Sequence, residues 1–355
     1  MGLFDDLANV EVRDEVPVRK SDLEKVLDYE EKIIKQYKND ERFKHYSEEK
    51  ELDAYQSLYT TVQEKLADIN ITSELLQKYI DARDNTTDNN LARIRGMYSA
   101  ALLEIISTKT PDVHTFINGR GRTFNFLFYY IHNIKNISVT NIIGHNTLGH
   151  AGSNNGSATN ITLTNITGDH TLYKAGSNGN ATNIVLNDIK GNNTLTNAGE
   201  NNGSVANITL SNITGNNTLE TAAWNGGSAT NITLINITGK KTLFNACGNN
   251  GIAKNITVTK IKGDYTLYNA GGWNGSAKNI TVTKIKGDWT LYNAIENGSI
   301  TNILQENELT EKQKSILSQI ESIVETMHTL SSEKQKKAHE EIARLQEEIF
   351  AEEKQ

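Results

Sequence analysis

Residues 160–182, NITLTNITGDHTLYKAGSNGNAT, decide the fold, because this unit returns with small changes about every 24 residues. Each copy opens with Asn-Ile and then carries Thr-Leu, an Ala three residues further on and an Asn-Gly pair. A regular repeat of this length is typical of a solenoid, in which one unit buries its apolar face only by stacking on the next. The copies begin at Asn136, Asn160, Asn183, Asn207, Asn231, Asn255, Asn279 and Asn302.

Apolar and polar residues alternate over short runs within the unit, which predicts strands rather than helices. We expect three strands in each coil, near residues 160–164, 165–167 and 171–174, with glycine and asparagine at the corners. The three alternating runs in each unit differ in length, whereas an array of β-hairpins would show pairs of similar strands. The predicted fold is mainly β with helical ends, a parallel β-helix of about seven to eight coils. About 24 residues per coil favours a right-handed winding.

Stacking turns each repeated position into a column of like side chains. The columns of Ile161 and Leu172 are expected to fill the interior, and the column of Asn160 to stack amide on amide at a bend. Packing explains these constant positions. Binding residues are therefore to be sought in the outward columns, whose residues change from coil to coil.

The chain divides into four predicted domains or segments. Residues 1–110 form an N-terminal helical domain, 111–135 a transition that caps the solenoid, 136–305 the β-helix, and 306–355 a C-terminal helical hairpin or coiled coil. The transition contains the densest aromatic run of the chain, residues 124–130, which we expect to plug the first coil.

Apolar residues three and four positions apart, with Glu, Lys and Gln between them, mark the C-terminal segment. Such a stripe can pack on its own chain or on another copy. We favour self-association, which makes the protein a homo-oligomer or part of an assembly. The residues predicted to mediate it are Ile316, Ile320, Ile323, Leu330, Ile342, Leu345 and Ile349.

Composition limits the compartment and the partners. The chain has 355 residues, seven net negative charges and a single cysteine, Cys247, so it has no disulfide framework. No stretch approaches the roughly 20 apolar residues that span a membrane, and no signal peptide is apparent. We expect a cytoplasmic protein, or one at a virion or cell surface if it is viral or exported by a non-standard route. Nothing indicates specific nucleic-acid binding.

The last two coils change most in their outward columns, where lysine and aromatic residues replace threonine and asparagine. Aromatic rings can stack on sugars or bases, and a lysine stripe can attract a polyanion. Helices that cover these side chains are the alternative explanation. The candidates for a glycan or polyanion surface are Lys260, Lys262, Lys284, Lys286, Tyr265, Tyr268, Trp273, Trp289 and Tyr292.

A threonine ladder and scattered carboxylates and histidines are weaker signals. The ladder resembles the threonine arrays of ice-binding solenoids, but Val185 interrupts it and β-propensity explains it. Asp264 and Asp288 share a column, which the repeat also explains. His145, His150 and His170 lack a Cys or Glu that would complete a metal site. We predict no enzymatic activity, no metal and no cofactor. The ladder comprises Thr162, Thr209, Thr233, Thr257 and Thr281.

The repeats look like a parallel β-helix over roughly 190 residues and resemble the bactofilins, whose small β-helices polymerise end to end. The helical segments at both ends depart from that family's short disordered tails. A helical, β-helical, helical layout is also similar to scaffold subunits of iron–sulfur assembly, against which the single Cys247 argues. The first hypothesis is a non-enzymatic scaffold that self-associates or binds partners through its helical ends. The alternatives are a glycan- or polyanion-binding protein of viral fibre type and, as a minor one, an ice-binding protein.

Overall fold

In the part of the chain that the structure describes, nine strands form one parallel sheet and pair in chain order. The computed structural model of the chain describes residues 20–44, 47–83, 86–272, 274–292 and 300–351. Each strand lies on its equivalent in the coil before it, so the predicted parallel β-helix with helices at both ends is confirmed. The strands are β1 (Thr115–Thr123), β2 (Asn133–Ile143), β3 (Ser157–Thr167), β4 (Asn180–Lys190), β5 (Ser204–Thr214), β6 (Ser228–Thr238), β7 (Ile252–Lys262), β8 (Ser276–Thr283) and β9 (Ile300–Gln305).

Helices lie before and after the solenoid. Among the described residues, five form the N-terminal bundle, and two form a C-terminal hairpin that follows a short 3₁₀ helix at Glu306–Glu308. The helices are α1 (Asp22–Tyr37), α2 (Glu41–Lys44), α3 (Glu48–Lys65), α4 (Ser73–Ala82), α5 (Asn89–Lys109), α6 (Glu311–Met327) and α7 (Ser332–Ala351).

Each central coil contains one long bent strand rather than the three expected. The strand β3 has 11 residues and bends at Asn160 and Asn165, whose φ angles are 56° and 54°. The segment expected as a third strand is a run of turns, in which Leu172 donates its N–H to the coil before and Lys174 donates to the coil after. Alternating polarity reports which side chains are buried, and it does not distinguish a strand from such turns.

The repeated columns have the predicted roles. Ile161 pairs with Ile137 and Ile184, and the side chains of this column are buried. At the bend, Asn160 Nδ2 donates to Asn136 Oδ1 at 2.6 Å and Asn183 Nδ2 donates to Asn160 Oδ1 at 2.8 Å. The same amide ladder continues through Asn207, Asn231, Asn255 and Asn279.

The N-terminal bundle covers the first coil, as the aromatic run predicts. Phe128 and Tyr130 are buried beneath the helices. The Glu104 carboxylate in α5 accepts the backbone N–H groups of His132 and Asn133 at 3.1 and 3.0 Å. The strand β1 starts inside the segment expected to be a transition, so the sheet begins one coil earlier than the Asn-Ile repeat.

One side chain pairs with the outer edge of β1 at Asn118. Gln77 in α4 donates from Nε2 to the carbonyl oxygen of Asn118 at 3.1 Å, and its Oε1 accepts the Asn118 N–H at 2.8 Å. The primary amide thus imitates the peptide group of a further strand. An unpaired sheet edge is a site for association with other chains, and at this end of the solenoid Gln77 pairs with the edge at Asn118.

The C-terminal hairpin packs on the outward face of its own sheet. Val185 in β4 and Ile235 in β6 share one buried cluster with the apolar stripe of the hairpin. The residues predicted to mediate oligomerisation therefore face their own chain in this structure. Ile316, Ile320, Ile342, Leu345 and Ile349 are buried, while Ile323 and Leu330 are partly buried.

Candidate interaction surface

Two of the four candidate lysines anchor the hairpin. Lys260 and Lys284 lie one coil apart and bind the carboxylate of Glu321 in α6 at 2.8 and 3.5 Å. Burial acts to raise the pKa of Glu321, but the hydrogen bond from Lys260 and the charges of both lysines lower it below its ordinary value. These lysines are therefore part of an intramolecular ion-pair cluster.

The other two candidate lysines face solvent. Lys262 and Lys286 are exposed and adjacent, because they are partners in a parallel bridge between consecutive coils. No carboxylate among the described residues forms an ion pair with either of them. An anionic ligand could therefore bind here without displacing an existing partner.

The candidate aromatic residues form a ladder rather than separate platforms. The rings of Phe244 and Tyr268 stack at 5.1 Å, and those of Tyr268 and Tyr292 at 5.5 Å. Tyr265 meets Tyr268 edge to face, and Trp289 meets Tyr292 in the same way at 4.8 Å. Trp289 and Tyr292 are the most exposed members, at 51% and 42%. The remaining candidate, Trp273, lies outside the described residues.

These two exposed rings lie where the stack of coils stops. In the coil before, Gly263 and Tyr265 donate their N–H groups to the carbonyls of Lys286 and Asp288 in the coil that follows. The equivalent N–H groups of Gly287 and Trp289 have no acceptor among the described residues. We call the surface formed by Gly287, Trp289, Tyr292 and the outer edge of β9 the end face. A cavity of about 640 Å³ beside it is lined by Ile285, Leu291 and Asn307, among others.

The threonine ladder is covered by α7. Thr162 donates to Gln335 Oε1 at 2.9 Å, and Gln346 Nε2 donates to the hydroxyls of Thr233 and Thr257 at 3.2 and 3.0 Å. The five ladder threonines are all buried. An ice-binding surface must be exposed and flat, so the ice-binding alternative has no support in this arrangement.

The carboxylates and histidines of the repeats have structural partners. Asp264 accepts the Asp288 N–H at 3.2 Å and lies 3.1 Å from Lys240, and these contacts lower its pKa. His150 is buried and stacks on Tyr130 at 4.3 Å, and burial lowers its pKa to about 3. Within the described ranges, no group of three His, Cys, Asp or Glu residues could hold a metal ion.

Sequence reasoning missed the side chains that join the helices to the solenoid, namely Gln77, Glu321, Gln335 and Gln346. For α7 a signal exists, since Gln335, His339, Ile342, Gln346 and Ile349 alternate by four and three residues as one helix face. Three polar residues on that face conceal it from a search for apolar stripes. Gln77 lies outside the repeats, so no recurring pattern in the sequence identifies its contact with β1.

No protein-family model matches this chain, and no curated protein or solved structure matches it. No helix in the described part of the chain is long and apolar enough to cross a membrane.

Proposed function

We propose that this protein is a non-enzymatic structural scaffold, a stiff rod that holds what is attached to its ends at a set separation. The observation that carries the proposal is the course of α7 along the stack. Ser332 at its start bonds His114 beside the first coil at 2.7 Å, and Gln346 near its end bonds Thr257 in β7. One helix thus braces nearly every coil.

The helix and the coils have matching axial spacings. From Gln335 to Gln346 an α-helix rises about 16.5 Å. Their partners extend from Thr162 in β3 to the point between Thr233 and Thr257, which is three and a half strand spacings, or about 17 Å. Because the two lengths agree, bending the stack would break contacts with α7. Such bracing supports a role as a rigid spacer.

The bundle is attached just as firmly. Lys174 in the solenoid binds Glu48 of α3 at 2.5 Å and Glu200 one coil later at 3.2 Å. The Lys174 side chain is 12% exposed and that of Glu200 11%, whereas Glu48 is 44% exposed, so solvent screens the bond to the bundle more than the bond to the next coil. Movements of the bundle relative to the rod would separate these charges.

Stiffness can be tested by measuring one distance across the molecule. Spin labels on Lys65→Cys in α3 and Asn307→Cys after β9 should give a single narrow distance distribution when labelled chains are diluted with an excess of unlabelled protein, so that only distances within one chain are measured. Cys247 is buried, and burial raises the pKa of its thiol, so it will not react with the label. The matched control is the same labelled pair in a chain that ends at residue 309, which should give a broader distribution. A broad distribution in the intact chain would contradict the scaffold proposal.

A second candidate function is the binding of an anionic glycan or another polyanion, and the exposure of Lys262, Lys286, Trp289 and Tyr292 favours it. We expect binding on a glycan and polyanion panel to weaken with salt, since lysine contacts release counterions. Replacing Lys262 and Lys286 by Gln should reduce it severalfold. Replacing Lys260 and Lys284 by Gln is the matched control and should change it little. Equal losses in both pairs, or no binding by the intact protein, would rule this function out.

A further inference from the structure

We propose that the end face is a docking surface for a second copy of this chain, so that two rods join tail to tail about a two-fold axis. The inference rests on the proposed scaffold function and names one partner for it. It is carried by the contrast between the two ends of the same solenoid.

At the closed end, the bundle covers much of the cross-section, although the ring of Phe116 on its outer side is 55% exposed. The bundle buries the rings of Phe128 and Tyr130, and Gln77 occupies the edge of β1. At the other end, Trp289 and Tyr292 are 51% and 42% exposed, and among the described residues no further strand lies beside β9 in the sheet. Within the described ranges, helices pack on one end of the solenoid, whereas Trp289 and Tyr292 are exposed at the other.

The aromatic ladder indicates what fits on the end face. Each ring in the column is covered by the ring one coil later, Phe244 by Tyr268 at 5.1 Å and Tyr268 by Tyr292 at 5.5 Å. Tyr292 is the last of the series among the described residues. A copy related by a two-fold axis through this column supplies the next ring, its own Tyr292, at the same kind of spacing.

Backbone groups and charges also suit a symmetric partner. The N–H groups of Gly287 and Trp289, which have no acceptor among the described residues, point to where a further coil would lie. Lys286 and Asp288 flank Gly287 on the exposed rim, so the face carries both signs of charge. A two-fold axis can therefore set unlike charges opposite each other, as an isologous interface requires. Because the far end is closed, the assembly stops at two copies.

The test is the mass of the intact chain in solution. Light scattering and sedimentation at micromolar concentrations should give twice the monomer mass of 39.4 kDa. The double variant Trp289→Glu, Tyr292→Glu places like charges across the axis and should halve the measured mass. The matched control is Phe116→Glu, which changes a ring that is 55% exposed at the closed end and should leave the dimer intact. Unchanged circular dichroism and thermal midpoint show that the variants fold.

Three results would overturn the dimer: an intact chain of monomer mass, a double variant that stays dimeric, or a Phe116 variant that dissociates. A monomer that binds glycans through Trp289 and Tyr292 would assign the end face to a carbohydrate instead. The spin-label distances distinguish this failure from failure of the scaffold. A monomer with a narrow distribution of spin-label distances would refute the dimer and agree with the rigid scaffold. A dimer with a broad distribution would refute the rigid scaffold and agree with the dimer.

Discussion

At the scale of single residues, asparagine suits the bend because it meets two demands together. The repeated Asn adopts a left-handed conformation, with φ of 55° at Asn207, which asparagine tolerates better than most residues. Its amide also has a donor and an acceptor, so it can bond both neighbouring coils. The asparagine ladder could be predicted because the same position recurs in every coil. The contact of Gln77 with β1 does not recur, so the sequence contains no pattern that predicts it.

Substitutions of Asn207 separate the effect of the left-handed backbone conformation from that of the side-chain hydrogen bonds. Both Asn207→Ala and Asn207→Gly lose the hydrogen bonds to Asn183 and from Asn231, each 2.9 Å long. Alanine must in addition hold a left-handed φ, which costs about 1 kcal/mol or more. We expect both variants to lower the free energy of unfolding in urea, and alanine to lower it by about 1 kcal/mol more than glycine. Equal losses would mean that the ladder alone selects asparagine.

At the scale of elements, helices were expected at the C-terminal end and are present, whereas the sequence left open whether their apolar stripe packs on its own chain or on another copy. An apolar stripe shows that a helix buries one face and does not show against what. The face that α7 sets on the sheet includes Gln335, His339 and Gln346, which are all buried. His339 Nδ1 lies 3.5 Å from the Thr209 hydroxyl, and its Nε2 has no partner among the described residues.

This buried histidine makes docking of the hairpin sensitive to acid. Burial lowers the pKa of His339 from 6.5 to about 4, so the folded protein holds the ring neutral. The contribution of neutral His339 to the free energy of unfolding is complete above pH 6.5. It is lost as the pH falls from there towards 4, because only the unfolded chain takes up the proton in that range. The loss amounts to up to about 3 kcal/mol.

The matched variant is His339→Gln, whose amide can still bond Thr209 but cannot titrate. Between pH 7 and pH 4, the free energy of unfolding of the natural protein should fall more than that of the variant. His150 is present in both chains, so its own titration cancels in the comparison. Parallel curves for the two proteins would show that His339 is not shielded from solvent.

At the scale of the whole molecule, a repeating solenoid is bound along its length by a helical hairpin that does not repeat. Coils repeat every ~4.8 Å and can be added or removed as units. The hairpin has no repeat, and its contacts are set for one particular number of coils. The repeat predicted all the coils but the first, whereas the match between the lengths of α7 and the stack depends on which threonines lie opposite Gln335 and Gln346.

Deleting residues 207–230 removes one coil and joins Ala206 to Asn231, which restores the repeat pattern. We expect the shortened solenoid to keep its β-sheet signal in circular dichroism. The hairpin should lose its docking, because Thr233 and Thr257 move by about 4.8 Å relative to Thr162. Amide hydrogen exchange in α7 should then accelerate towards that of an isolated helix.

The control deletes the same coil from a chain that already ends at residue 309. There the loss of stability should be confined to one coil, since no hairpin remains to be displaced. If α7 stays protected from exchange in the shortened full-length chain, the match of the two lengths is not what holds the hairpin in place.

The asparagine ladders also give the rod an electrical polarity. Backbone hydrogen bonds between coils point both ways, as those of Leu172 and Lys174 do, so their dipoles largely cancel. The amide bonds from Asn183 to Asn160 and from Asn207 to Asn183 all point the same way, and their dipoles add as peptide dipoles do in an α-helix. The bundle lies at the positive pole and the last coils at the negative pole. The exposed Lys262 and Lys286 lie in those last coils, where positive charge is favourable as it is at the C-terminus of a helix.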